Sequence, residues 1–190
     1  MPLNIPNLLT WLRIILIPLI IGVFYLPDYV LSFQGKNTAA TAIFIFAAVT
    51  DWLDGYMARV LDQISAFGAF LDPVADKLMV AGALIVLLQL ERVESAVALI
   101  IIGREIAISA LREWMAQIGQ SKSVAVAFIG KVKTAGQMVA IPLLLFYDDL
   151  FGVVNCQGLG TILINIAAVL TVVSMLYYLR QAMPHVADKD

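Results

Sequence analysis

Six apolar stretches dominate the chain, from Leu8 to Leu26, Ala39 to Arg59, Phe67 to Leu90, Ser95 to Trp114, Val124 to Phe146 and Leu159 to Leu179. Each holds roughly 20 residues, which at ~1.5 Å per residue spans a hydrocarbon layer of ~30 Å as a helix. Within lipid a segment has to satisfy its own backbone hydrogen bonds, so helices follow from length and apolarity together. A hydrophobic share of 62% and a mean hydropathy of +0.93 put the 190-residue chain outside the range of ordinary soluble domains. The pattern predicts an all-α integral membrane protein with six transmembrane helices, organised as a single domain over 1–190 without repeats or linkers.

The charges inside these stretches are lopsided. Arg13 is early in the first, Asp51 and Asp54 are late in the second, and Asp72, Asp76 and Lys77 are early in the third. Arg104, Glu105, Arg112 and Glu113 occupy the later half of the fourth, and Lys131 and Lys133 open the fifth. Because successive helices run in opposite directions, all of these fall in one half of the bilayer and predict a polar cavity there. That side also carries Arg59, Lys122, Arg180 and Lys189, whereas the opposite loops hold Lys36 and Arg92 among acidic residues. Excess positive charge marks the cytoplasmic side, which predicts a multi-pass membrane protein with both termini and the cavity facing the cytoplasm.

Other features restrict function less. The opening MPLNIPNLLTWLR lacks a basic n-region and a small-residue cleavage site, so it is read as part of the mature protein. Cys156 stands alone and reads as a packing residue, and His185 in the polar tail as a solvated one. Tyr25, Tyr29, Trp114, Tyr147, Tyr177 and Tyr178 near segment ends read as interfacial belt residues. A net charge of −2 singles out no partner class; membrane lipids are expected and nucleic acid is not.

Ionisable residues within apolar helices are costly and become functional candidates by default. The densest group is Asp51-x2-Asp54-Gly55-x2-Ala58-Arg59-x8-Gly68-x3-Asp72-x3-Asp76. Carboxylates at i and i+3 on one helix, and at i and i+4 on the next, share a face in each case, so two antiparallel helices can aim all four at one place. At an effective dielectric of ~20, two like charges ~4 Å apart repel by about 4 kcal/mol, which calls for proton sharing or divalent cations. Oxygen-only ligands favour Mg²⁺, Mn²⁺ or Ca²⁺ over Zn²⁺.

This frame resembles the signature of the CDP-alcohol phosphatidyltransferases at all eight fixed positions. The further stretches NIPNLLTWLRIILIP, GREIAISALREWMA and GKVKTAGQM resemble the branch of that family that acts on glycerol 3-phosphate. The resemblance implies transfer of a phosphatidyl group from CDP-diacylglycerol to the sn-1 hydroxyl of glycerol 3-phosphate, with release of CMP. It further implies two divalent ions, Mg²⁺ or Mn²⁺, held by Asp51, Asp54, Asp72 and Asp76, with Asp76 also the candidate catalytic base, and a homodimer. It places the cytidine diphosphate against Asn7, Thr10, Asp54, Gly55, Ala58 and Arg59. As bare patterns, Gly55 is equally a helix-packing residue and Asn7-x-x-Thr10 equally a helix cap.

On the fourth segment Glu105, Ser109 and Arg112 share a face beside Arg104, and the fifth opens with Lys131, Lys133 and Thr134. This set, Arg104, Glu105, Arg112, Lys131, Lys133 and Thr134, with four cations among its six members, predicts a site for an acceptor phosphate, since arginine recognises phosphate in bidentate fashion. A sibling transferase using serine, an inositol phosphate or phosphatidylglycerol is the nearest alternative. A divalent-cation transporter is the alternative from another class, disfavoured because polar residues crowd one half of the membrane.

Overall fold

In the computed structural model, which describes residues 5–60, 66–119, 128–150 and 152–187, six helices account for nearly all of the described residues. They are α1 (Ile5–Val23), α2 (Phe33–Val60), α3 (Ala66–Gln89), α4 (Ser95–Gln117), α5 (Phe128–Phe146) and α6 (Cys156–Ala187). A two-stranded hairpin joins the last pair, β1 (Asp149–Leu150) to β2 (Val154–Asn155), and Gly152 supplies the left-handed turn conformation between them.

The helix ends follow local chemistry more than the edges of the apolar stretches. α1 stops at Val23, ahead of Pro27. α2 starts at Phe33, six residues before the apolar stretch, because Ser32 Oγ accepts from the Gly35 amide at 3.2 Å and caps the first turn. Cys156–Met183 within α6 is the one described helix long and apolar enough to cross a membrane by itself; Asn7–Val23 and Val132–Phe146 are shorter apolar runs. In α2, α3 and α4 the ionisable residues named above interrupt the apolar length.

The arrangement differs from two aspartate-bearing helices packed face to face. α1 packs along both α2 and α3, whose direct contact with one another is slight. The α1–α3 contact is close at Gly82, where an added Cβ would sit 3.0 Å from Ile17 Cγ2. α5 lies against α6 and α2, and α6 against α4; at Gly160 an added Cβ would meet Leu144 Cγ at 2.8 Å, so this pair also depends on a missing side chain. Phe44, Leu84, Leu87, Ile101, Ile141 and Leu144 fill the common core. Large apolar side chains such as Leu99, Val169, Val49, Ile85 and Ile162 cover the exterior instead of polar ones.

At the end opposite the aspartates, Arg92 ties three elements together. Its guanidinium donates to the Leu144 and Leu145 carbonyls at 2.9 and 2.7 Å and to Asn37 Oδ1 at 2.9 Å, and lies 4.2 Å from the Tyr147 ring centroid. Those carbonyls belong to the last turn of α5, where a cation also meets the helix dipole favourably. Burial pushes the Arg92 pKa below its ordinary value. The charge asymmetry of the sequence treats Arg92 as a loop cation; in the fold it is a buried clamp.

Candidate active site

The carboxylates converge through α1. Arg13 is completely buried, and its guanidinium meets Asp51 Oδ1 at 2.7 Å and forms ion pairs with Asp54 and Asp76. One helical turn earlier, Thr10 Oγ1 donates to Asp72 Oδ1 at 2.6 Å. Asn7, Thr10 and Arg13 recur at i, i+3 and i+6, so one edge of α1 threads between the two aspartate helices and touches all four carboxylates through two residues. Sequence reasoning used Arg13 only as a cation on one side of the membrane. Its spacing from Thr10 was the available signal.

The four carboxylates differ in accessibility. The Asp54 side chain is 5% exposed, Asp51 36% and Asp76 47%. Asp76 is therefore the one of these three most open to a reacting group. Four carboxylates and one guanidinium carry a formal charge of −3 in a largely apolar helix bundle. Hard oxygen donors with excess negative charge suit divalent cations such as Mg²⁺ or Mn²⁺. Among the described residues no three carboxylates stand close enough to share one ion directly, and three of them are paired with Arg13. A divalent cation bound to this frame would take oxygens that are paired with Arg13 here.

A cavity of about 260 Å³ opens beside Asp51 and Asp76, and its far wall is built by Arg104, Ser109, Arg112 and Thr134. Of the predicted acceptor residues, Arg104, Glu105, Arg112 and Thr134 thereby share one cavity with Asp51 and Asp76. Arg104 Nη2 lies 3.3 Å from Ser174 Oγ and its Nη1 3.4 Å from Glu105 Oε1. Arg112 Nη2 donates to the Tyr178 hydroxyl at 3.4 Å, and both guanidiniums sit over the Tyr178 ring, at 5.7 and 5.3 Å from its centroid. Tyr178 is fully buried, which corrects its assignment to an interfacial belt. Thr171, Ser174 and Tyr178 recur at i, i+3 and i+7 on α6, a polar stripe that marks this face.

Lys133 has a different place from Arg104 and Arg112. It is 1% exposed, its ammonium is paired with Glu105, and it holds that carboxylate instead of lining the cavity. Thr134 lines the cavity while its hydroxyl donates to the Gly130 carbonyl at 2.9 Å. The side chains of Gly55, Ala58, Arg59 and Lys131 lie outside the described residues. Lys77 and Gln137, unassigned in sequence, also line the cavity.

Five buried side-chain N or O atoms among the described residues have no hydrogen-bond partner, and four belong to Arg13, Arg104, Arg112 and Gln137. Unmet donors are costly in a fold and concentrate where a ligand completes them. A larger cavity, about 460 Å³, lies under Arg92 and Tyr147 at the other end, away from every carboxylate of the frame. Chemistry, not size, distinguishes the smaller one.

The sequence profile of the CDP-alcohol phosphatidyltransferases matches residues 3–173. The chain belongs to the CDP-alcohol phosphatidyltransferase family. It is 49% identical over 193 residues, covering 100% of both chains, to the CDP-diacylglycerol–glycerol-3-phosphate 3-phosphatidyltransferase of Escherichia coli strain K12. A protein of the same name from Pseudomonas fluorescens is 50% identical over 187 residues, 96% of this chain and 92% of the relative. Another, from Salmonella choleraesuis strain SC-B67, is 48% identical over 193 residues and 100% of both chains. The family match spans the whole aspartate frame and, with it, Asp51, Asp76, Arg104, Arg112 and Thr134, which meet at the 260 Å³ cavity.

Proposed function

We infer that the protein transfers the phosphatidyl group of CDP-diacylglycerol to the sn-1 hydroxyl of glycerol 3-phosphate, releasing CMP. The observation that carries this reading is a single cavity lined by Arg104 and Arg112 and by Asp51 and Asp76 of the family's aspartate frame, in a chain alike over its full length to relatives named for that reaction. A volume of about 260 Å³ is below the roughly 300–1,000 Å³ of drug-sized sites and suits a small phosphorylated polyol. Arg104 and Arg112 hold the acceptor's phosphate, and their stacking on Tyr178 fixes both planes so that little side-chain freedom is lost on binding.

Asp76, on the opposite wall, takes the proton from the sn-1 hydroxyl as its oxygen attacks the diacylglycerol-bearing phosphorus and the bond to CMP breaks. Asp51, Asp54, Asp72 and Asp76 would hold two divalent ions, Mg²⁺ or Mn²⁺, which when bound polarise the pyrophosphate and stabilise the leaving nucleotide. Thr10 orients Asp72, and Arg13 balances the carboxylates when metal is absent. The cytidine diphosphate lies along Asn7, Thr10, Asp54, Gly55, Ala58 and Arg59.

The apolar exterior and the gathering of polar groups at one end support six spans in a bacterial cytoplasmic membrane, with the cavity on the cytoplasmic side. Homodimerisation is part of the same reading. The test is an acceptor panel: purified protein, labelled CDP-diacylglycerol and, separately, glycerol 3-phosphate, serine, an inositol phosphate and phosphatidylglycerol, with products resolved by headgroup. Phosphatidylglycerophosphate as the dominant product is expected; turnover with another acceptor only would overturn the assignment.

A further inference from the structure

The acceptor cavity contains a group that phosphate binding and proton transfer leave unused. Gln137 on α5 is 2% exposed, lines the cavity that Asp76, Arg104 and Arg112 line, and its Nε2 has no partner. It follows Lys133 by four residues and Thr134 by three, so the helix presents these three side chains on neighbouring positions of one face. The cavity's two hydroxyl groups are already engaged: Ser109 Oγ donates to the Glu105 carbonyl at 2.6 Å and Thr134 Oγ1 to that of Gly130. Gln137 is thus the uncharged polar side chain there whose donor is left over.

An amide is a weak choice for a phosphate already flanked by two guanidiniums, but it both donates and accepts, which matches an alcohol. The proposed acceptor carries two hydroxyls. One attacks; the other needs a partner once the site excludes water. We propose that Gln137 binds the non-reacting secondary hydroxyl of the acceptor and makes the enzyme select phosphorylated alcohols that carry one. The inference rests on the reading of the acceptor as glycerol 3-phosphate. A site that hydrogen-bonds a substrate hydroxyl discriminates strongly against the analogue lacking it, because its own buried polar group is then left unpaired.

The test compares glycerol 3-phosphate with 1,3-propanediol monophosphate, which lacks that hydroxyl, in the wild type and in Gln137→Met and Gln137→Leu. The wild type should favour glycerol 3-phosphate by about 10- to 100-fold in kcat/KM. Both variants should lose most of that factor on glycerol 3-phosphate and change little on the analogue, so that the ratio falls toward one. A ratio taken on one protein preparation is unaffected by a partly unfolded fraction, and Gln137→Met keeps the volume. A ratio unchanged in both variants, whether the rates fall together or not at all, assigns Gln137 to packing or to bound water and overturns the proposal. A wild type inactive on glycerol 3-phosphate but active on another acceptor overturns the functional reading itself, and this inference with it.

Discussion

Replacing Arg13 by methionine should destabilise the protein strongly without metal and weakly with it. The guanidinium is fully buried and shared among Asp51, Asp54 and Asp76, with Asp54 itself nearly inaccessible. Removing one partner of a buried ion pair costs about 3–5 kcal/mol, because the remaining charges stay desolvated and uncompensated. For a chain of this length each kcal/mol moves the unfolding midpoint by about 2–4 °C, so Arg13→Met should melt roughly 6–20 °C below the wild type in EDTA. In the proposed mechanism divalent cations would compete with Arg13 for the same oxygens, and the variant would offer those oxygens without a competitor. At Mg²⁺ one hundred times its dissociation constant, binding adds about 2.7 kcal/mol to the native state, and the variant should gain more than the wild type. Thermal unfolding of both proteins in detergent, in EDTA and in Mg²⁺ at matched ionic strength, measures all four midpoints. Equal stability in EDTA, or a larger Mg²⁺ gain in the wild type, would refute the shared-carboxylate account.

Three further outcomes are expected. Arg112→Gln should raise the KM for glycerol 3-phosphate by about 10- to 100-fold and leave that for CDP-diacylglycerol nearly unchanged, as steady-state titration of each substrate will show; a parallel rise in both would point to a damaged fold. Arg92→Ala should cost about 2–4 kcal/mol of stability while kcat per folded molecule stays constant, since its three hydrogen bonds lie at the end away from the cavity; a variant as stable as the wild type by chemical denaturation would contradict the clamp. On a Cys156→Ser background, a Lys122→Cys reporter should resist an impermeant thiol reagent added to intact cells, and labelling from outside would reverse the proposed topology.

The chain's helices and the half of the bundle that holds its polar groups were legible because both are periodic properties of one segment at a time. Apolar length marks a helix, and the position of Asp51, Asp72, Arg104 or Lys133 within its segment marks an end. The aspartate frame was legible for the same reason, as an i, i+3 and an i, i+4 pair. The partners of those residues were not. Arg13 gains its role because α1 lies between α2 and α3, a choice of neighbour that depends on side-chain volumes such as the gap at Gly82 facing Ile17. Tyr178 was assigned to the membrane interface by its place near a segment end, yet α6 turns that edge toward α4 and buries it under two arginines. Lys133 looked interchangeable with its basic neighbours until its pairing with Glu105 separated it from the cavity wall.

The aspartate frame is the centre of the account, and Asp51 tests it most directly. It joins α2 to Arg13, lines the acceptor cavity and belongs to the proposed metal-holding set, and Asp51→Asn keeps its shape while removing its charge. The measurement is the initial rate of CMP release from CDP-diacylglycerol with glycerol 3-phosphate, for wild type and variant, each with Mg²⁺ and with EDTA, beside a melting curve for each protein. The account predicts turnover only in the wild type with Mg²⁺ and a folded, inactive variant. Near-normal release by Asp51→Asn, or by the wild type in thorough EDTA, would contradict it.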